Sequence, residues 1–316
     1  MQEKTEETEM TKKEIIAITH KEDLDGIGSA CLLKKKFGDS LDLILSDYGH
    51  YEKDLEIILK ISCKMIIIAD LGFNEGLINL IPLFRNSKAE IIWFDHHHLA
   101  EKYKKILQDS ITLVRAEDKT VSTELINNFY FGNDRILNKI AKLAHISDNK
   151  IHNETANKLG LVIDGSQNNE EDLLKIIELL LNGEFDNNWI NKKFLDLQNS
   201  YMEEYEKIIE RIEEYKLKNL RILLSWSDLV TASRISQYFI ELHNPDVAIG
   251  VNSKTRQVNL KSKKHVIRQI ARAFHGGGHD HRAGFIYPKN PIEENKISKD
   301  LLNTIFENIT KFINIT

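Results

Sequence analysis

The chain has 316 residues, of which 41% are hydrophobic and 29% are charged, and its formal net charge is −5. This composition is typical of a globular protein, and the length suits two domains of ordinary size or one large domain. No apolar run approaches the ~20 residues that a membrane span needs, and the negative net charge provides no global field for long duplex DNA. Residues 1–12 are polar and lack the apolar segment of a secretory signal, so we predict an N-terminal tail and a cytoplasmic protein.

The first third of the chain alternates short apolar runs with segments of helical spacing. The runs are rich in β-branched residues and cover residues 14–20, 41–47, 64–70 and 90–97. Strands that alternate with helices predict a doubly wound, mostly parallel sheet with helices on both faces. We therefore expect an α/β catalytic domain over residues 13–185. Ligands of such sheets bind beyond the carboxyl ends of the strands.

A long amphipathic helix is predicted after a mostly helical region at residues 119–181. Its apolar residues follow one another by threes and fours and form one stripe, which comprises Ile190, Phe194, Leu197, Tyr201, Tyr205, Ile208, Ile212 and Tyr215. We expect this helix, within residues 186–217, to connect two domains by packing on its own chain. A coiled-coil homodimer remains an alternative. Residues 218–316 are predicted to form a second, smaller α/β domain.

Acidic and histidine side chains collect at the ends of the predicted strands and of one helical segment. They are His20, Asp23, Asp25, Asp70, Asp95, His96, His97 and Asp148. Clustered carboxylates are tolerated when cations neutralise them. Imidazole and carboxylate ligands without cysteine suit divalent ions such as Mn²⁺. A carboxylate that bridges two ions would hold them ~3.5–4 Å apart, which is the separation of two-metal phosphoryl-transfer sites.

Five motifs carry a resemblance to a known family. "HKEDLDG", "IIIADLG", "WFDHHH" and "AHISD" resemble, in order and spacing, the four motifs of the DHH phosphoesterase superfamily. Further on, "FHGGGHDHRAGF" at residues 274–285, preceded by "VNLKS" at residues 258–262, is similar to the glycine-rich signature of the DHH-associated C-terminal domain. The resemblance covers nearly the whole chain beyond the tail, and all five motifs in order are highly specific.

The resemblance implies a role for each matching position. Two Mn²⁺ ions, for which Mg²⁺ or Co²⁺ could substitute, would share Asp70 as a bridge. The ligands would be His20, Asp23 and Asp70 for the first ion, and Asp25, Asp70, His96 and Asp148 for the second. Asp95 would orient His96, as carboxylates commonly do for ligating histidines. His97 would face the substrate phosphate and neutralise charge there.

The second domain is expected to bind the substrate. The matching residues are Ser122 of the first domain and Lys261, Gly276, Gly277, Gly278, His279 and Arg282 of the second. Glycines let the backbone approach an anion closely and aim N–H groups at it. Lys261 stands where the family often has arginine, so it offers a point charge rather than a bidentate fork. Ser122 is either a residue near the site or only a helix cap.

The expected function is the hydrolysis of short single-stranded RNA, DNA or dinucleotides, with cyclic di-AMP or its linear product pApA as further candidates, by a water that two metal ions activate. Within the family, the size is most similar to the nanoRNase, or oligoribonuclease, type. One alternative is a RecJ-like single-stranded DNA exonuclease, whose extra domains we do not find. Less favoured alternatives are a family-II inorganic pyrophosphatase, which lacks "GGGH", and a non-catalytic scaffold, which would lack metal ligands.

Overall fold

The computed structural model describes residues 14–116 and 119–313, so the predicted tail at residues 1–12 lies outside the described residues. The first sheet has five parallel strands in the order β2-β1-β3-β4-β5. These are β1 (Ile15–His20), β2 (Leu41–Ser46), β3 (Met65–Ala69), β4 (Glu90–Asp95) and β5 (Thr112–Arg115). The parallel sheet and its first four strands confirm the predicted α/β class. The fifth strand was not predicted, because it is a four-residue edge strand and none of its residues is fully buried.

Helices cover both faces of this sheet. In chain order they are α1 (Leu24–Phe37), α2 (Tyr51–Ile58), a 3₁₀ segment (Glu75–Leu80), α3 (Ile81–Asn86), α4 (Glu101–Gln108), α5 (Ser122–Tyr130), α6 (Arg135–Asp148), α7 (Glu154–Asp164) and α8 (Glu170–Leu181). Alternate strand residues point to opposite faces. Ala17, Ile67 and Ile92 pack with α1 and α5 to α8, whereas Ile66 and Trp93 pack with α2 to α4. The sheet is therefore doubly wound.

The long amphipathic helix is present as α9 (Asn188–Glu210), but it is shorter than its apolar stripe predicts. Residues 213–217 form the strand β6 (Glu213–Leu217), so Tyr215 is not part of the helix. A tight turn explains the difference: Lys218 adopts a φ of 53°, and Leu217 pairs with Leu220 to close a hairpin. No helix of the described residues is both long and apolar enough to span a membrane.

A six-stranded sheet forms the second unit, with the order β10-β11-β9-β8-β7-β6. Its remaining elements are β7 (Leu220–Ser227), α10 (Ala232–Leu242), β8 (Val247–Asn252), β9 (Gln257–Lys261), α11 (Arg268–Arg272), β10 (Gly277–His279) and β11 (Arg282–Ile286). A two-strand ribbon, β12 (Ile292–Glu293) and β13 (Lys296–Ile297), and α12 (Lys299–Phe312) complete it. Tyr201 and Ile208 of α9 pack on Leu223 of β7, which attaches the helix to this smaller C-terminal unit.

Candidate metal centre

The sheet order brings the predicted ligands to one edge. His20 is the last residue of β1, Asp70 follows β3, and His96 follows β4, and these three strands are neighbours. Asp23 caps the N-terminus of α1 by accepting from the backbone N–H groups of Asp25 and Gly26. Because the carboxyl ends of parallel strands meet at a common edge, residues distant in sequence converge there.

The first group of ligands consists of His20, Asp23 and Asp70. The Nδ1 atom of His20 lies 3.4 Å from Asp23 Oδ2 and 3.6 Å from Asp70 Oδ2. One ligand atom from each residue lies within 4.8 Å of the others, which is a spacing that a single metal ion can occupy. This is the set that the resemblance implies for the first ion.

The second group surrounds His96. Its Nε2 atom lies 3.3 Å from Asp70 Oδ1 and 3.6 Å from Asp25 Oδ2, and its Nδ1 atom lies 4.0 Å from Asp148 Oδ2. Asp70, His96 and His97 offer ligand atoms within 4.8 Å of one another, whereas Asp25 and Asp148 approach different nitrogens of the His96 ring. Asp70 faces His20 with one carboxylate oxygen and His96 with the other, which is the position that a bridging ligand requires.

The chemistry of the cluster fits a divalent cation. Both ring nitrogens of His20 and the Oδ2 atom of Asp70 are buried and form no hydrogen bond, although buried polar atoms normally find a partner. Burial lowers the pKa of His20, but the Asp23 and Asp70 carboxylates outweigh it and raise that pKa well above its usual value. Likewise, the Asp70 carboxylate raises the pKa of His96 to about 10 against the effect of burial. The site therefore attracts positive charge, and a metal ion can supply it.

Helix α5 holds the carboxylate of Asp25. The backbone N–H groups of Ser122 and Thr123 donate to its two oxygens at 2.9 and 2.8 Å, and the Thr123 hydroxyl donates at 2.7 Å. Of the two alternatives for Ser122, the helix cap is wrong, because Val121 is the cap residue. The buried Ser122 hydroxyl lies near the site, where it faces Asp70 at 3.4 Å. Ser122 therefore contacts two of the proposed ligands, Asp25 through its backbone N–H and Asp70 through its hydroxyl.

Asp95 orients His97 and not His96, in contrast to the prediction. Its Oδ1 atom accepts from the Nδ1 side of His97 at 2.7 Å, while its Oδ2 atom accepts from Arg115 at 2.7 Å. Burial raises the pKa of Asp95, but the charges of His97 and Arg115 hold it well below the usual range. The other ring nitrogen of His97 lies 3.3 Å from the Tyr48 hydroxyl. The ring is therefore fixed at both ends.

A cleft of about 1220 Å³ separates the two sheets above the cluster. Of the predicted residues, those that line it are His20, Asp23, His97, Lys261, Gly276, Gly277, Gly278, His279 and Arg282. Asp25 and Asp70 are buried beneath its surface. His97 and the predicted substrate-binding residues of the second sheet therefore face one shared space, whereas Asp70, Asp95 and Ser122 do not line it.

Packing within the second sheet requires two of the three glycines. A Cβ atom on Gly276 would lie 2.1 Å from the carbonyl oxygen of Gly284, and one on Gly278, which has a φ of 129°, would lie 2.5 Å from that of Arg282. A Cβ atom on Gly277 would meet no such neighbour, since the nearest atom to it would be in the Tyr48 ring of the first domain, at 3.9 Å. The three glycines thus allow β10 to pack closely against β11, and their backbone lines the cleft.

Two residues after this run reach the metal cluster itself. The His279 ring stacks on His97, and Arg282 Nη2 lies 3.5 Å from Asp148 Oδ1. Burial, with the charges of His97 and Arg282, lowers the pKa of His279 to about 3. His279 is therefore a neutral imidazole in contact with His97 of the first domain.

Lys261 is a buried ammonium that forms no ion pair with an acidic residue of the described chain. Its Nζ atom donates to the Ser233 carbonyl at 2.9 Å and to Gln237 Oε1 at 2.8 Å. Burial and the nearby charges of Arg282 and Lys150 lower the pKa of Lys261 well below its usual value. An anion in the cleft would relieve this unfavourable environment.

Sequence reasoning missed several residues of the site. Tyr48, Lys150 and Arg234 line the cleft, and Arg115 supports it through Asp95. Each lies outside the five motifs. Of these residues, only Tyr48 had a signal in the sequence, because it directly follows the predicted strand at residues 41–47 and so lies at the carboxyl edge of the sheet.

Comparison with known proteins agrees with this geometry. Residues 14–147 match the sequence model of the DHH family, N-terminal domain. No curated protein sequence matches the chain significantly.

Solved structures resemble nearly the whole chain at low sequence identity. A DHH domain described as a member of a family of ribosomal proteins aligns with a TM-score of 0.63 and 12% identity, over 95% of this chain and 87% of that chain. CDC45 from Entamoeba histolytica aligns with a TM-score of 0.58 and 9% identity, over 94% and 95%. An exopolyphosphatase-related protein from Bacteroides fragilis aligns with a TM-score of 0.50 and 16% identity, over 94% and 92%. These likenesses concern the fold.

Proposed function

We propose that the chain is a metal-dependent phosphodiesterase that cleaves short oligonucleotides. Residues 14–147 match the model of the DHH family, N-terminal domain, whose phosphoesterase-type fold is consistent with a hydrolase. Its substrates would be nanoRNA, dinucleotides, and cyclic di-AMP or its linear product pApA. The observation that carries the proposal is Asp70, which is buried between two histidines with one unbonded oxygen, directly below a cleft lined by cationic residues.

Two Mn²⁺ ions, or Mg²⁺ or Co²⁺ in their place, are the proposed cofactors. His20, Asp23 and Asp70 would hold one, and Asp25, Asp70, His96 and Asp148 would hold the other. Metal ions bound there supply Lewis acidity, which activates water and neutralises charge on the phosphate. The carboxylate oxygens and imidazoles of the cluster suit these ions, and no cysteine takes part.

The chain's own residues provide orientation around that centre. His97, whose two ring nitrogens contact Asp95 and Tyr48, faces the cleft and would place its ring beside a bound phosphate. His279 and Arg282 approach the same region from the second sheet. A phosphodiester placed between the two sheets is therefore contacted from both sides, which favours one reactive orientation.

The dimensions of the cleft favour a short substrate. Glu22 bonds to Gln257, Arg234 bonds to Asp164, and Ile286 packs on Gly49, so contacts between the two units flank the space. Its volume of about 1220 Å³ lies somewhat above the ~300–1,000 Å³ that is usual for small-molecule sites, which leaves room for a few nucleotides. This supports a dinucleotide or a few nucleotides rather than a long strand.

One experiment distinguishes the alternatives. Pure protein with Mn²⁺ is incubated with a labelled dinucleotide, a 5-mer, a 24-mer, cyclic di-AMP and pyrophosphate, and initial rates are compared. We expect the dinucleotide and the 5-mer to be cleaved faster per molecule than the 24-mer. Equal or faster cleavage of the 24-mer would favour a RecJ-like exonuclease. Cleavage of pyrophosphate alone would favour a pyrophosphatase, and no cleavage at all would favour a scaffold.

A further inference from the structure

The cleft crosses the carboxyl edge of the first sheet, from one helical layer to the other. Glu52 and Glu56 of α2 line it on one face, and Lys150, which follows α6, lines it on the opposite face. Strand β9 runs in the same direction. Gln257 at its start bonds to Glu22, and Lys261 at its end is four residues away, or ~13 Å along an extended strand.

The end of the cleft near Lys261 is cationic. Four cations line it, namely Lys150, Lys261, Arg234 and Arg282. Asp164 pairs with Arg234, and Asp148 pairs with Arg282. No carboxylate of the described residues forms an ion pair with Lys150 or Lys261. Glu241 also lines this end and accepts a hydrogen bond from Gln237. The net charge here remains positive and suits phosphate groups.

The opposite end of the cleft, next to α2, is lined by more acidic than basic side chains. Glu22, Glu52 and Glu56 line it against one cation, Lys53. Glu56 is paired with Lys60 at 2.7 Å. Glu52 forms no ion pair with any described residue, and its carboxylate lies on the backbone of Gly76, where an added Cβ atom would meet Oε1 at 1.9 Å. A fixed, uncompensated negative charge thus stands at this end of the cleft.

We propose that Glu52 restricts how far the substrate extends on the α2 side of the scissile phosphate, so that only the terminal linkage of a strand reaches the metal centre. A nucleoside that follows the scissile phosphate carries no charge, so it fits beside α2. The next phosphate of a longer strand would meet the Glu52 carboxylate and be repelled. The strand can therefore extend from the metal centre only towards the cationic end. This inference rests on the proposed function and defines the substrate class as oligonucleotides with no second phosphate on the α2 side.

Charge reversal at Glu52 tests the inference. Glu52→Gln and Glu52→Lys are compared with the wild type on a dinucleotide and a 24-mer, and the readout is the ratio of kcat/KM for the 24-mer to that for the dinucleotide. We expect this ratio to rise about threefold in Glu52→Gln and about tenfold in Glu52→Lys at low salt. In 0.5 M salt most of the rise should disappear, because the Debye length falls to about 4 Å.

A matched variant controls for net charge. Glu171→Lys makes the same change on an exposed position of α8, outside the cleft, and should leave the ratio as in the wild type. The inference is overturned if Glu52→Lys keeps the wild-type ratio, or if Glu171→Lys raises the ratio equally. A wild-type protein that cleaves neither substrate would instead refute the proposed function, so the two failures are distinguishable.

Discussion

The ring of His279 stacks on the ring of His97, with centroids 5.0 Å apart and an interplanar angle of 24°. His97 belongs to the first domain, where Asp95 and Tyr48 fix its two nitrogens. His279 ends β10 of the second sheet. The stack therefore joins the glycine-rich segment to the Asp-His-His segment beside the proposed metal ligands.

Replacing His279 with alanine should separate its role from metal binding. The substitution removes a neutral imidazole that can hydrogen-bond or stack, and it touches no proposed ligand. We expect kcat/KM for a dinucleotide to fall about tenfold, equivalent to ~1.4 kcal/mol, the upper range for a neutral hydrogen bond. Mn²⁺ content and hydrolysis of bis-p-nitrophenyl phosphate should persist. His281→Ala, at an exposed position two residues on, is the control. Loss of metal in His279→Ala would place this residue in the metal centre.

Asp70→Asn should remove the shared ligand while preserving the fold. Asp70 has a φ of 57°, and asparagine tolerates this left-handed conformation as well as aspartate does. An amide provides one oxygen and no charge, so it cannot face both histidine groups as the carboxylate does. We expect a loss of bound Mn²⁺, measured by elemental analysis, together with a loss of turnover and an unchanged circular dichroism spectrum. A fully active Asp70→Asn enzyme would rule out the bridging role.

Arg115 should influence catalysis through Asp95 and His97. Its guanidinium donates to the Asp95 carboxylate and to the His97 carbonyl. Arg115→Met leaves a buried carboxylate with one partner fewer, at a cost of ~1–3 kcal/mol in stability. We expect kcat to fall at least tenfold with KM and Mn²⁺ content little changed, because His97 loses its fixed orientation. Arg115→Lys, which can keep one charged contact, should recover part of kcat. If KM rose and kcat stayed constant, the contact would serve binding alone.

The strand ends that carry the cluster were predicted well from the sequence. Each follows a run of β-branched residues, and the short helical connections between the runs indicate parallel strands whose carboxyl ends share one edge. His20, Asp70 and His96 were placed by this rule. Arg115 was not predicted, since it ends a short edge strand with little apolar signal. The end of α9 was misplaced for another reason: Tyr215 continues a helical spacing, but the hairpin turn at Lys218 determines the local structure.

Contacts between the two units were the least predictable part of the site. Arg234 pairs with Asp164 and Gln257 with Glu22, and neither pair shares a motif or a sequence spacing. Such contacts depend on how two separately folded sheets face each other. Periodicity within one element contains no information about that arrangement. The same limit applies to Asp95, whose partner could be either of two adjacent histidines until β5 positions Arg115.

Lys261 offers a test in which stability and function should change in opposite directions. Its pKa in the folded chain lies well below its usual value, because it is buried near Arg282 and Lys150. The unfolded chain therefore binds this proton more strongly than the folded chain does. Between the lowered pKa and ~10.4, stability should rise with pH. Below that window the full penalty for the buried charge remains.

Lys261→Met removes this penalty while keeping a side chain of similar length. We expect the melting temperature of the variant to equal or exceed that of the wild type at neutral pH, and the two to converge as the pH approaches ~10. The KM for a dinucleotide should rise, because the cleft loses a cation that faces the substrate. Lys263→Met, at an exposed lysine two residues further on, should change neither quantity. A Lys261→Met variant that is less stable at neutral pH and binds substrate normally would show that the lysine serves the fold and not the cleft.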